Sequence, residues 1–141
     1  MKILNGENII LGRLAAEAAK QALMGEEVII VNCEKVVISG RKSLILAREK
    51  RRRERKGYPL KSHVIPRLPE RSVRRSIRGM LPWKSIRGKE AFARVKCFRS
   101  IPAEYADKKI ILMPQNSLSK LPNLKYISLS EICHHLGGKH D

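Results

Sequence analysis

The sequence predicts an α/β fold on a mainly parallel sheet, extended by a basic helical segment and finished by a C-terminal tail. Three observations lead there. A strand, a helix and a second strand follow one another within about 30 residues, the length of a βαβ unit. The second strand is continuously apolar rather than alternating, which suits burial on both faces of a parallel sheet. The charge is segregated: residues 41–100 hold 21 of the 30 Lys and Arg but only 4 of the 13 acids, so the net charge of +17 resides there and the other 81 residues are neutral.

The elements follow in order. Residues 2–5 (KILN) read as a short strand and 6–8 (GEN) as a turn. Leu11, Leu14, Ala15, Ala18 and Ala22 recur at helical spacing. Alanine favours the helix and lets it lie close on a sheet, and Gly25 is the natural stop. EEVIIVNC (26–33) is the buried strand, and EKVVISG (34–40) is a second extended piece ending at Gly40. Residues 41–58 form a helix anchored by Leu44, Ile45 and Leu46. Its later turns carry seven bases against two acids over residues 48–56, more than solubility requires. Residues 57–69, with Gly57, Pro59, Pro66 and Pro69, form an extended linker that also holds Lys61, His63 and Arg67.

A helix follows over 70–79. At about 100° per residue, Arg71, Arg74, Arg75 and Arg78 share one face, while Val73, Ile77 and Met80 share the opposite one. Gly79 ends this helix and Pro82 prevents its immediate restart. Residues 87–98 give a short helix, with Ala91 and Val95 inward, running into a strand. Beyond Ile101 the prolines imply a wrapping tail with a further short strand at KKIILMP. A terminal helix is capped by Ser128 and Glu131 and stopped by Gly137 and Gly138. The 141 residues suit one domain with a basic middle and a tail over 101–141.

A neutral scaffold with one very basic segment has a face built for a polyanion, and nucleic acid fits better than an acidic membrane or protein. The candidate contacts are Arg41, Lys42, Arg48, Lys50, Arg51, Arg52, Arg53, Arg55, Lys56, Lys61, Arg67, Arg71, Arg74, Arg75, Arg78, Lys84, Arg87 and Lys89. Of the 21 bases in 41–100, 14 are Arg, whose planar fork suits phosphate and base stacking. No zinc-finger spacing or aromatic RNA-binding signature is present, so recognition of RNA shape and backbone is expected. The turn Gly79, Met80, Leu81, Pro82 and Trp83 sits amid this charge. Met80, Leu81 and Trp83 pin it to the scaffold so that the bases form a fixed comb; alternatively, Trp83 stacks on an unpaired base.

Other chemistries fit poorly. GENIILGR leaves five residues between its glycines, and SGRKS follows Lys35 where a phosphate-binding loop needs glycine. Glu49, Glu54, Glu70 and Glu90 lie among arginines and pair with them more readily than with a metal. Cys133, His134 and His135 are adjacent and do not share a helix face; with His140 they read as a solvated helix end. No catalytic residue, metal or cofactor is expected. Cys33, Cys97 and Cys133 are widely spaced, as free thiols in a reducing compartment are. A cytosolic protein without signal peptide or membrane span is expected. A nucleotide-binding enzyme and an RNA- or DNA-binding architectural protein are the alternatives.

VRRSIRGMLPWKSIRGKEAFARVKCF (73–98) resembles the signature region of the L-thirteen family of large-subunit ribosomal proteins. ILGRLAAEAAKQAL (10–23) is similar to that family's first helix, and VIIVNCEKVVISGRK (28–42) to its following strand. The resemblance spans nearly all of residues 2–102, and the linker and IPAEYADKK look like the archaeal and eukaryotic branch. It implies a three-layer α/β/α fold around a small, mainly parallel four-stranded sheet. It also implies a structural, non-catalytic role in the cytoplasmic ribosome. The implied partners are large-subunit rRNA, whose folding the protein helps, and neighbouring large-subunit proteins, with no membrane or small-molecule substrate. Asn5 departs from the family's usual Asp, which puts a local turn contact in question.

Overall fold

A computed structural model of the chain describes residues 1–55 and 65–139. Lys56, Gly57, Pro59, Lys61, His63 and His140 therefore lie outside the described residues. Strand β1 (Lys2–Asn5), helix α1 (Leu11–Leu23) and strand β2 (Val28–Val31) open the chain. Strand β3 (Val37–Ser39), α2 (Lys42–Glu54), α3 (Pro69–Met80), α4 (Ile86–Ala93) and β4 (Val95–Cys97) follow. The tail contributes α5 (Ala103–Ala106), β5 (Ile110–Ile111), β6 (Tyr126–Ser128) and α6 (Leu129–His135).

The main sheet has the order β4-β2-β1-β5 and every pair in it is parallel. Strand β2 is central and buried along its whole length, as its unbroken apolar run predicts. Its residues alternate between two apolar clusters. Val28 and Ile30 face the larger one, with Leu14, Ala15, Ala18 and Ala22 of α1, Val73 and Ile77 of α3, and Ala91 of α4. Ile29 and Val31 face the smaller one, with Ile3 and Tyr105. The third layer is thus thin: α5 is a single turn, and its Tyr105 does the covering. The alanines of α1 leave room for α3 to lie along it, the largest helix–helix contact among the described residues.

The tail enters the core more deeply than wrapping implies. It supplies an edge strand to the sheet through β5, and β6 pairs antiparallel with β3 in a separate two-stranded ribbon. Ile127, Leu129, Ile132, Cys133 and Leu136 are all buried in the larger cluster. Helix α6 begins at the Ser128 cap, whose Oγ accepts from the Glu131 backbone N–H. It ends in a Schellman pair, Gly137 N–H to His134 and Gly138 N–H to Cys133, with Gly137 at φ +79°. Asn5 keeps an acceptor in its turn: its Oδ1 accepts from the Glu7 backbone N–H at 3.0 Å and from Asn32 Nδ2 at 2.9 Å.

In α2, only Ile45 of the three expected anchors is buried; Leu46 is partly buried and Leu44 is exposed. Ile45 and Glu49, four apart, share the inward face, and Leu44 is rotated off it. Cys33 and Cys133 are buried free thiols, and Cys97 is half-buried. A hydrogen bond with Cys97, then burial, drives the Cys33 pKa far up, and burial pushes Cys133 up to about 11. A thiol reagent at pH 8 is expected to modify Cys97 first in the native protein. Cys33 and Cys133 should react only once denaturant is added, as read by mass spectrometry of the labelled peptides.

Candidate nucleic-acid interface

Helix α3 orients the charge. Pro69 opens it, a position where proline's missing N–H is not needed. Val73 and Ile77 have no exposed surface, while Arg71, Arg74 and Arg78 stand in solvent and Arg75 is half-buried. Among the described residues, Arg71, Arg74, Arg78, Lys84, Arg87 and Lys89 have no carboxylate within ion-pair distance. Their charge is uncompensated within the described part of the fold.

Two of these arginines are held by rings. The Arg74 guanidinium lies 4.7 Å from the centroid of Phe92 on α4, and that of Arg78 lies 3.9 Å from the centroid of Trp83. Each stack restricts a long side chain that otherwise loses conformational freedom on binding. Trp83 therefore has a role the sequence did not disclose: it holds Arg78. The Arg74–Phe92 pair joins two helices and has no local sequence signal.

The turn between α3 and α4 differs from expectation in its details. Leu81 is buried and continues the Val73–Ile77 stripe at four-residue spacing. Met80, expected inward, is 45% exposed, because the chain leaves the helix at Leu81 and that side chain takes the core slot. Trp83, expected as an anchor, is 40% exposed under Arg78. Gly79 lies within α3 rather than ending it, without a left-handed conformation. A Cβ there would meet nothing within 4 Å.

The glycine that matters is Gly88. A Cβ on it would sit 2.0 Å from the Pro82 carbonyl oxygen and 2.8 Å from the Trp83 nitrogen. The first turn of α4 thus lies directly on the Pro82–Trp83 peptide. Ser85 completes the joint: its backbone N–H and Oγ both donate to the Pro82 carbonyl, at 2.9 and 2.7 Å. The same Oγ accepts from the Gly88 N–H and caps α4. A serine before a helix and a glycine inside one are the signals that mark such a close approach.

Helix α2 presents a second basic surface of different character. Arg48 and Arg52 both reach Glu49, at 3.0 and 3.2 Å, and Lys50 reaches Glu54 at 3.9 Å. Lys42 pairs with Glu131 of α6. Arg41, Arg51 and Arg55 are exposed. Arg53 has a buried Nη1 without a hydrogen-bond partner among the described residues. Its pKa is lowered by burial and by the like charge of Arg67. A like charge of this kind makes a nearby anion favourable. Arg94 is used inside the fold, donating to the Ala22 carbonyl near the end of α1.

His134 and His135 are exposed while Cys133 is buried, and no group of metal-binding side chains forms among the described residues. No helix among them is long and apolar enough to cross a membrane. The arrangement offers rows of fixed cations on α2, α3 and the α3–α4 turn, chemistry suited to a polyanion.

The family profile described as Ribosomal protein L13 matches residues 1–104. The large ribosomal subunit protein uL13 of Methanocaldococcus jannaschii is 42% identical over 142 residues, covering 99% of both chains. Its counterpart in Methanosarcina barkeri is 40% identical over 140 residues, again 99% of both. That of Archaeoglobus fulgidus is 38% identical over 136 residues, 96% of this chain and 86% of the relative.

The turn holds both core and surface residues. Leu81→Ala should destabilise the protein by about 2–5 kcal/mol, and Gly88→Ala by roughly 1–3 kcal/mol through overpacking. Trp83→Leu should stay within about 1 kcal/mol of the parent, since it loses mainly the stack with Arg78. Urea unfolding of the three variants checks all three values.

Proposed function

The chain belongs to the ribosomal protein L13 family, and on that premise we propose that it binds and helps fold large-subunit rRNA through its arginine-rich face. It is a structural protein of the large ribosomal subunit, working in the cytoplasmic ribosome, and not an enzyme.

The observation that carries the RNA contact is the division of α3. Arg71, Arg74 and Arg78 face solvent with no carboxylate partner among the described residues, while Val73 and Ile77 fix the helix in the core. Arg71, Arg74, Arg75 and Arg78, with Lys84, Arg87 and Lys89 after the turn, take phosphates. Arg41, Arg51, Arg53, Arg55 and Arg67 extend the contact along α2 and the segment before α3, and Lys56 and Lys61 belong to the same proposed set. Lys42, Arg48, Lys50 and Arg52 exchange intramolecular carboxylates for phosphate oxygens, a smaller net gain. Because arginine can fork to two phosphate oxygens, the rows recognise the spacing of a folded backbone rather than base identity. Bridging separated phosphates in this way favours the folded RNA over the open one. The neighbouring large-subunit proteins are proposed to meet the exposed parts of the tail, where Leu112 and Leu124 stand in solvent.

The reading predicts steep salt dependence. With about six to ten phosphates neutralised, affinity for the rRNA should fall by roughly 10³–10⁵ between 50 and 200 mM salt. The triple variant Arg74→Gln, Arg75→Gln, Arg78→Gln should bind more weakly with a slope of log affinity against log salt shallower by about 2–3. Its thermal stability should remain near the parent's, whereas Ile77→Ala should lose about 2–5 kcal/mol of stability. Filter binding over a salt series, beside thermal melts, reads both. An affinity that ignores salt contradicts the mechanism.

A further inference from the structure

We propose that Trp83 is a stacking platform for an unpaired nucleobase of the rRNA, poised by Arg78 and by the turn on which it stands. The inference rests on the RNA-binding reading above and adds a contact that senses unpaired RNA rather than phosphate charge. It gives Trp83 a second role beside holding Arg78.

The ring is large, apolar and 40% exposed on a turn braced by backbone contacts. Pro82 precedes it, the Gly88 backbone presses on its peptide, and its own N–H donates to the Leu81 carbonyl at 2.8 Å. A platform already ordered loses little entropy when a partner arrives. Arg78 covers one face at 3.9 Å, and a base arriving on the ring completes a guanidinium–indole–base column. The same guanidinium reaches outward with donors for the phosphate of the stacked nucleotide.

The surroundings choose the partner. Lys84, Arg87 and Lys89 are exposed and, among the described residues, without carboxylate partners. An aromatic surface set among uncompensated cations is complementary to a nucleotide, which brings a π-face and a negative charge together. A duplex hides its π-faces in its own stack, so the occupant is a base from a loop, bulge or end.

Trp83 is the single tryptophan of the chain, so its fluorescence reports this ring alone. The test titrates the full-length protein with the large-subunit rRNA transcript, free of other proteins. A second titration uses the same transcript annealed to its full complement. The proposal expects Trp83 to be quenched by the folded transcript, and unquenched by the duplex although charge still draws the protein to it.

A double-mutant cycle then separates the two roles of the ring. In the Arg78→Gln background, Trp83→Leu should still lower affinity roughly 5- to 100-fold without changing the salt slope, and Trp83→Phe should restore part of it. The proposal is overturned if the transcript binds with steep salt dependence and leaves Trp83 unquenched, or if the duplex quenches it equally. It is also overturned if Trp83→Leu has no further effect in that background, since Trp83 is then only a bracket for Arg78. A ring unquenched on free RNA but shielded in whole subunits assigns it to a neighbouring protein instead. Failure of the wild-type protein to bind the transcript even at low salt refutes the RNA-binding reading itself.

Discussion

The burial of Val73 and Ile77 against α1 and the sheet is the interaction on which the rest of the molecule depends. These two side chains have no exposed surface, and they fix the rotation of α3 about its own axis. A helix has only one rotation that satisfies its apolar stripe. Once that is set, the arginines between the stripe residues must point away from the core. The direction of the charge is therefore a consequence of packing. The neutral half of the chain earns its place by supplying the surface against which α3 registers: the alanines of α1 and the continuous strand β2.

Rigidity extends outward from that contact. Leu81 carries the stripe one step beyond the helix, and Ser85 and Gly88 lock the turn onto α4. Phe92 and Trp83 then each hold an arginine of α3 from the α4 side. A flexible basic tail attracts polyanions with comparable charge but must be ordered on binding. Here much of that ordering is complete before the partner arrives. Helix α2 follows another logic, because several of its cations are already paired with Glu49, Glu54 and Glu131. The two helices thus differ: among the described residues Arg71, Arg74 and Arg78 of α3 are uncompensated, whereas α2 is partly compensated.

Much of this was legible in the residues. The continuous run of β2 disclosed its burial on both faces, and the period of α1 disclosed its core stripe apart from Ala19. The two faces of α3 followed from angle alone. What escaped lies where chain segments distant in sequence meet. Met80 fits the apolar face by angle, yet Leu81 displaced it at the helix end, which periodicity within a helix does not describe. Trp83 reads from sequence as a core anchor or a base-stacking ring, and neither reading discloses that its neighbour Arg78 takes one face of it. Gly88 mattered more than Gly79 because of a backbone contact with Pro82, not because of a dihedral angle. The tail's prolines suggested a wrapping strap, but Ile127, Leu129 and Ile132 show that it finishes the core. Strand pairing between β3 and β6 joins residues almost ninety positions apart, beyond the reach of local pattern.

Electron cryomicroscopy of the intact large subunit tests the central claim most directly, because it shows what each face of α3 touches. The account predicts the guanidinium groups of Arg71, Arg74, Arg75 and Arg78 at hydrogen-bonding distance, about 3 Å, from rRNA phosphate oxygens. Val73 and Ile77 should remain packed on the protein's own sheet and first helix. A subunit in which that arginine row faces solvent or another protein, with the RNA held elsewhere on the chain, would contradict it.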